Sequence, residues 1–428
     1  MNTRAERTHR DIAGRADARR VRQAAPVERA ARAGILKRFA RLRQGAIHVH
    51  YRGAVERFGE PAERFPEPVA VRINDPRAWP EIALNGALGS GEAYMRGWWQ
   101  CSDLTGLVRI LLVNRDVLES LEGGLARLGK PALRVWHWLQ RNTRAGARRN
   151  IQAHYDLGDE LFELFLDPTM AYSAAIFEPE TKTLEQASEE KIDRLCRKLD
   201  LKPGERLLEI GSGWGALAVH AAAHYGCDVT TITLSENQRS ATARRAAAAG
   251  VADRVDARLQ DYRDVDGRYD KIVSVEMIEA VGYEHLPLYF GQLDRLLKDN
   301  GLVALQAITV ADQNFRHALK SVDFIKKYIF PGGFLPSVTC MLEQLTRGTS
   351  LRLFHLEDIG FDYARTLTEW RQRFFANVAD VRALGYSEVF VRMWEFYLSY
   401  CEGAFRERVI SDVQMVLAKP GNRTPIRF

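Results

Sequence analysis

Three glycines at alternate positions, Gly211, Gly213 and Gly215, follow directly on the apolar run Arg206-Leu-Leu-Glu-Ile210. Such a run reads as a strand buried on both faces, and the alanine-rich stretch 216–225 reads as the helix after it. Glycines at a strand-to-helix turn let the backbone take dihedrals that side chains forbid and approach a ligand closely. The chain is thereby committed to βαβ construction with a ligand-bearing first loop. The spacing downstream agrees: strands are expected at 206–211, 227–233, 255–260, 269–276 and 302–309, and helices at 215–225, 235–249 and 284–298. Residues 310–350 interrupt this alternation as a long insertion. A strand at 351–357, helical sequence to about 408 and a strand at 412–419 close the unit. The expected fold is α/β, a mostly parallel sheet with helices on both faces and a helical insertion. Ahead of it, from about Gly34 to Asn114, short strands and turns with aromatic anchors read as a small N-terminal α+β domain.

Two kinds of nucleotide compete for the glycine loop. A dinucleotide site wants G-x-G-x-x-G and an acid about 20 residues further on. Here the spacing is G-x-G-x-G, and the next strand runs into Thr233-Leu234-Ser235 without an acid. Glu209, just ahead of the glycines, suits a ligand that carries positive charge. S-adenosylmethionine has a sulfonium and an ammonium there and no phosphate, so it is the expected cofactor. Its place is the C-terminal end of the sheet, where the loops after 211, 233, 260 and 276 converge.

Bulk properties narrow the class. The 428 residues suffice for two domains. No apolar run approaches the roughly 20 residues that span a bilayer, and the Arg-rich N-terminus lacks the apolar core of a secretory signal. Five scattered cysteines, Cys101, Cys196, Cys227, Cys340 and Cys401, show no metal-ligand spacing. A reduced, cytoplasmic protein without a metal is expected. The net charge is +6, but residues 1–50 hold 13 Lys/Arg against 4 Asp/Glu, so the rest of the chain sums to about −3. A second basic run, 127–149, contains Arg127, Lys130, Arg134, Arg141, Arg144, Arg148 and Arg149, no acid, and Trp136 and Trp138. Such patches suit a phosphate-bearing partner, nucleic acid or an anionic membrane face, and near the latter each cation contributes about 1 kcal/mol. A solvated basic tail is the bland alternative. The expected division is a basic, disordered or loosely helical tail at 1–30, an interaction domain at 31–114, a basic helical linker at 115–149 and a catalytic unit at 150–428.

A set of ordered motifs goes further than the loop alone. These are His-Tyr-Asp-Leu-Gly (154–158), Met-Ala-Tyr-Ser-Ala-Ala (170–175), Leu-Glu-Ile-Gly-Ser-Gly-Trp-Gly (208–215) and Thr-Leu-Ser-Glu-Asn-Gln (233–238). Gln-Asp-Tyr-Arg-Asp (260–264), Met-Ile-Glu-Ala-Val-Gly (277–282), Tyr-Ile-Phe-Pro-Gly-Gly-Phe-Leu-Pro-Ser (328–337) and Asp-Tyr-Ala-Arg-Thr-Leu (362–367) follow. From about Asn85 to Leu417 the chain resembles the cyclopropane-fatty-acyl-phospholipid synthases and related lipid C-methyltransferases. The resemblance implies a class I methyltransferase, Rossmann-like fold. It also implies transfer of a methyl group from S-adenosylmethionine to a cis double bond of a phospholipid acyl chain. In the donor site it assigns Tyr172 and Ser173 to the methionine end, Gly211 and Gly213 to the loop, Thr233, Leu234 and Gln238 to the ribose, and Gln260 with Asp261 to the adenine. Thr233 and Gln238 do offer hydrogen bonds of the kind a ribose takes.

Methylating an alkene leaves a carbocation that water would capture, so the site should be dry, aromatic-lined and equipped with one base. Tyr155, Phe162, Phe165, Tyr172, Phe177, Phe324, Tyr328, Phe330 and Phe334 lie in the flanking segments; most are expected in the core and two or three on a tunnel. By resemblance, the base is a bicarbonate ion held by a Glu, a His, a Tyr and the backbone beside a Cys and an Ile. Glu279, Tyr363 and Ile308 match three of these. Ala174 replaces the Cys and Gln306 the His, and Gln306 can donate a hydrogen bond but cannot shuttle a proton. Glu279 or Tyr363 taking the proton is the alternative, and a methyl branch or exomethylene is the alternative to the ring. The expected partners are unsaturated phospholipid acyl chains and the inner face of an anionic membrane, with homodimerisation left open. Methylation of RNA is disfavoured by the motifs beyond the loop, and a non-catalytic lipid-binding protein by the intact donor motifs.

Overall fold

A computed structural model describes residues 25–122 and 157–425. The first segment is built on a four-stranded sheet of β1 (Gly45–Tyr51), β2 (Ala54–Glu60), β3 (Val69–Ile73) and β4 (Trp99–Cys101), in the order β2-β1-β3-β4. β1 and β2 form a hairpin whose two-residue turn, Arg52-Gly53, has φ of +51° and +81°. Turns with both central residues in this region match the twist of the strands they join. Helix Pro26–Phe39 precedes the sheet and begins inside the expected tail. Proline is compatible with a helix start because it lacks an N–H that would go unbonded there, and Ile35, 2% exposed, anchors the helix in the core. The expected tail residues 1–24, the linker residues 123–149 with their basic run and Tyr155 all lie outside the described residues.

The second segment carries a seven-stranded sheet, β10-β11-β9-β8-β5-β6-β7. Its strands are β5 (Arg206–Ile210), β6 (Asp228–Thr233), β7 (Val255–Leu259), β8 (Tyr269–Val275), β9 (Leu297–Val310), β10 (Arg352–Asp358) and β11 (Ile410–Ala418). β5 to β9 pair in parallel, and β11 is antiparallel to both of its neighbours, β9 and β10. Alternation along the strands feeds two cores. Leu208, Ile210 and Ile272 pack with helix Leu286–Leu296 on one face, and Leu207, Val229 and Val273 pack with helices Leu184–Lys198 and Ala216–Tyr225 on the other. The chain runs outward through β5, β6 and β7 and returns to β8, which lies against β5. That reversal opens a crevice at the strand C-termini, the usual ligand position in such sheets.

The insertion after β9 contains helices Asp312–Lys320 and Val338–Gly348 and, between them, one wide turn of π-helix at Ile325–Ile329. Single turns of this kind gather at functional sites. The two segments are packed together: a Cβ on Gly403, in helix Glu388–Arg406, would come within 2.7 Å of Val108, Arg109 Nε donates to Glu407 at 2.8 Å, and Tyr94 to Glu395 at 2.6 Å.

Candidate active site

The crevice is a cavity of about 1100 Å³. Gly211, Gly213 and Gly215 all take positive φ (+97°, +49° and +89°). The N–H groups of Gly211 and Ser212 each donate to Ile232 O at 3.0 Å, which ties the loop to β6. A Cβ on Gly213 would meet nothing within 4 Å among the described residues, so this residue presents bare backbone to the cavity it lines. Thr233 donates to Gln238 Oε1 at 2.7 Å, leaving the Gln238 amide as the donor at this edge. Gln260 and Leu234 line the cavity as well; Gln260 Nε2 is held by Asp264 O at 2.8 Å. Asp261 departs from expectation. It does not line the cavity, and its carboxylate takes Arg263 Nε and Nη2 at 2.8 and 2.6 Å, so the neighbouring Tyr262 faces the cavity instead.

The opposite wall supplies Tyr172 and Ser173. Tyr172 shares a hydrogen bond with Tyr397 (2.8 Å between hydroxyls) and lies against Phe162 and Trp370. Ser173 Oγ accepts from Lys191 Nζ at 2.8 Å. Lys191 is buried, which pushes its ammonium down, while Glu276, Asp412, Asp167 and Glu209 pull it back up. Glu209, 3% exposed, accepts from Thr231 Oγ1 at 2.5 Å, and burial lifts its carboxyl to about 8. Bare backbone at Gly213, a buried acid at Glu209 and donors at Gln238 fit an S-adenosyl group with its two positive charges. A cation beside Glu209 favours its ionised form. Donor affinity is therefore expected to rise with pH up to about 8, by at most about tenfold per pH unit, and to level off above it. Calorimetry over pH 6–9 checks this: S-adenosylhomocysteine, without the sulfonium, should show a shallower slope, and Glu209→Gln should flatten both.

Deeper in the cavity four side-chain carboxyl oxygens and their partners form the chemical centre. Glu276 Oε1 accepts from Ala174 N and from Gln306 Nε2, both at 2.8 Å, and Glu276 Oε2 accepts from Tyr363 OH at 2.8 Å. Glu279 Oε1 accepts from Ile308 N at 2.6 Å, and its Oε2 is buried without a partner among the described residues. Burial and the neighbouring Glu276 push the Glu279 carboxyl up to about 8. So Ala174, Gln306, Tyr363, Ile308 and Glu279 do come together, but around a carboxylate that motif reading passes over. Glu276 itself has φ of +49°, a conformation that costs a non-glycine residue about 1–2 kcal/mol and is concentrated at functional sites.

This arrangement corrects the expectation of bound bicarbonate. Of the four donors assigned to that ion, Ala174 N–H, the Gln306 amide and Tyr363 OH are taken by Glu276 and Ile308 N–H by Glu279, so a second anion would lie against both carboxyls. The residues present do not fit it. Of the expected aromatics, Tyr172, Phe324, Phe330 and Phe334 line the cavity, while Phe162, Phe165 and Phe177 belong to the core. Tyr363, Tyr397, Tyr400 and Phe405 add to the lining from the C-terminal helices.

Fold and site define a class I S-adenosylmethionine-dependent methyltransferase. The model of the mycolic acid cyclopropane synthetase family matches residues 142–415. Tuberculostearic acid methyltransferase UfaA1 of Mycobacterium tuberculosis is 42% identical over 79% of this chain and 81% of its own. Cyclopropane-fatty-acyl-phospholipid synthase of Escherichia coli is 37% identical over 82% and 88%. Among solved structures, mycolic acid cyclopropane synthase CmaA1, complexed with SAH and CTAB, superposes with a TM-score of 0.60 at 34% identity, covering 64% of this chain and 98% of that one. Coclaurine N-methyltransferase bound to SAH shares the fold at 18% identity, with a TM-score of 0.60 over 77% and 98% of the two chains. The chain belongs to the mycolic acid cyclopropane synthetase family, and it is an S-adenosylmethionine-dependent methyltransferase of the cyclopropane synthase type. Among the described residues no helix is long and apolar enough to cross a membrane.

Proposed function

We propose that the enzyme methylates a cis double bond in a fatty acyl chain of a phospholipid, and that Glu276 accepts the proton released. The observation that carries this reading is the convergence of Ala174 N–H, Tyr363 OH and the Gln306 amide on one cavity-lining carboxylate. Bound S-adenosylmethionine supplies an electrophilic methyl group on a sulfonium. The alkene's π pair forms the new C–C bond as the C–S pair returns to sulfur, leaving a cation on the chain. The aromatic faces of Tyr172 and Phe330 suit such a cation, and the aromatic lining keeps water from it. Glu276 takes a proton from the new methyl group, and the C–H pair closes the ring. If a hydride first migrates to the cationic carbon, the same deprotonation leaves an exomethylene. That second reading is favoured by UfaA1, whose name is that of a methyltransferase and not of a cyclopropane synthase.

The acyl chain would reach Glu276 through the part of the cavity lined by Leu88, Leu112 and Leu118 from the first segment. Leu88 and Leu112 support residues 31–114 as a lipid-associating domain, Leu118 carries the lining into helix Arg115–Glu122, and the catalytic unit is taken as residues 150–428. The basic stretches at 1–50 and 127–149 suit the anionic inner face of a membrane. Purified enzyme with S-adenosylmethionine and vesicles of unsaturated phospholipid tests the reading. A gain of one CH₂ per acyl chain is expected, at a rate that bicarbonate removal and addition leave unchanged. Unmodified acyl chains would sink the function, a strict bicarbonate requirement would sink the role of Glu276, and fragmentation mass spectrometry separates ring from branch.

A further inference from the structure

Behind Glu276 lies a second acid that the mechanism does not use. Asp412, on β11, is 0% exposed; its Oδ2 accepts from Gln306 Nε2 at 3.0 Å, and its Oδ1 is buried and meets no donor among the described residues. Gln306 Nε2 thus serves both acids, with Glu276 Oε1 at 2.8 Å. The orientation of that amide is not arbitrary. Lys198 is a donor only, and its Nζ binds Gln414 Oε1 at 2.7 Å. Gln414 must then present Nε2 to Gln306 Oε1, at 3.0 Å, and Gln306 must present Nε2 to the acids. A buried lysine at one end sets the sense of every hydrogen bond up to the carboxyls.

Gln306 offers two N–H groups, one for each acid, and no charge. Two ionised carboxylates held side by side by one neutral amide in a buried site would repel strongly, and Asp412 Oδ1 meets no donor among the described residues. One proton between them resolves both facts. We propose that Asp412 and Glu276 form a proton-sharing carboxyl pair, in which Asp412 is a positioning residue that orients Glu276 toward the substrate. This rests on Glu276 being the base. Burial, with Glu276 and Glu279 nearby, pushes the Asp412 carboxyl well above the usual carboxylate range. The other titratable groups facing the pair are Glu279 at the end of β8, Tyr363 on helix Gly360–Ala376 and Lys191 on helix Leu184–Lys198.

Asp412→Asn keeps size and neutrality but removes the shared proton. It should bind S-adenosylmethionine normally and show little change in KM, with kcat down about tenfold to a hundredfold, as expected when a reacting group is slightly misplaced. Its pH–rate profile should lack one ionisation seen in the wild type. The infrared difference spectrum, wild type minus variant, should show the loss of one protonated-carboxyl C=O band. In Glu276→Gln that same band should shift, a readout independent of how Asp412→Asn folds. An unmoved band in Glu276→Gln, or an Asp412→Asn enzyme with the wild-type profile and band, would overturn the pair. Turnover retained in Glu276→Gln would instead overturn the reading of Glu276 as base.

Discussion

Glu276→Gln is expected to lower product formation by about 10²–10⁴-fold, the usual contribution of a positioned general base, while leaving S-adenosylmethionine affinity near the wild-type value. The amide is isosteric, and its oxygen can still accept from Ala174 N–H and the Gln306 amide, both 2.8 Å from Glu276 Oε1. The facing Tyr363 hydroxyl, now donating to Oε2 at 2.8 Å, can accept from the new NH₂ group. The fold and the donor site should therefore survive; only basicity is lost. Glu279→Gln is the necessary control. The Glu279 carboxyl, lifted to about 8 by burial and by Glu276, is already largely protonated at neutral pH, so an amide there changes little. Its loss should be the smaller by at least about tenfold, since it forfeits no proton-transfer step. Measured side by side under saturating donor, a dead Glu279→Gln beside an active Glu276→Gln would exchange the two roles.

Why the sequence points to Glu279 and misses Glu276 is a matter of geometry. Strand β8 and its turn bring both acids to the rim, and the strand-end position that makes one a candidate makes the other one too. Choosing between them needs to know where the Ala174 N–H, the Gln306 amide and the Tyr363 hydroxyl point, and these come from three segments far apart in the chain. Two acids three residues apart just past a buried strand was the available signal. By contrast, the β5 loop and the alternation from 206 to 310 were legible because they depend on local periodicity and on glycine's dihedral freedom. The reversal of β11 was not legible, since a strand's direction within a sheet is decided by the long connection before it. Asp261 misled for a local reason: in Asp-Tyr-Arg its carboxylate folds back on Arg263, a pairing that linear spacing does not separate from a ligand contact.

The glycine loop yields a second large effect, one that splits folding from binding. Gly215 has φ of +89°, and an added Cβ would sit 2.8–2.9 Å from Thr242 Cγ2, Cα and Oγ1. Backbone at Thr242 cannot yield as a side-chain tip can, so Gly215→Ala combines about 1–2 kcal/mol of conformational strain with about 1–3 kcal/mol of overpacking. Against a total stability of about 5–15 kcal/mol, thermal melting should fall markedly. Gly213→Ala carries similar strain at φ +49°, but its Cβ meets no atom of the described residues within 4 Å and projects into the cavity where the donor's backbone contacts are expected. The protein should stay folded and lose donor affinity, by about tenfold to a hundredfold if the methyl imposes 1–3 kcal/mol of overlap on the ligand. Gly53→Ala isolates the strain: φ is +81° and nothing lies within 4 Å, but the residue is in the β1–β2 turn, outside the cavity lining. Melting temperature and calorimetric donor affinity should then separate the three variants, with Gly53→Ala mildly destabilised and binding normally. If Gly213→Ala binds S-adenosylmethionine as tightly as Gly53→Ala does, the donor does not lie on this loop.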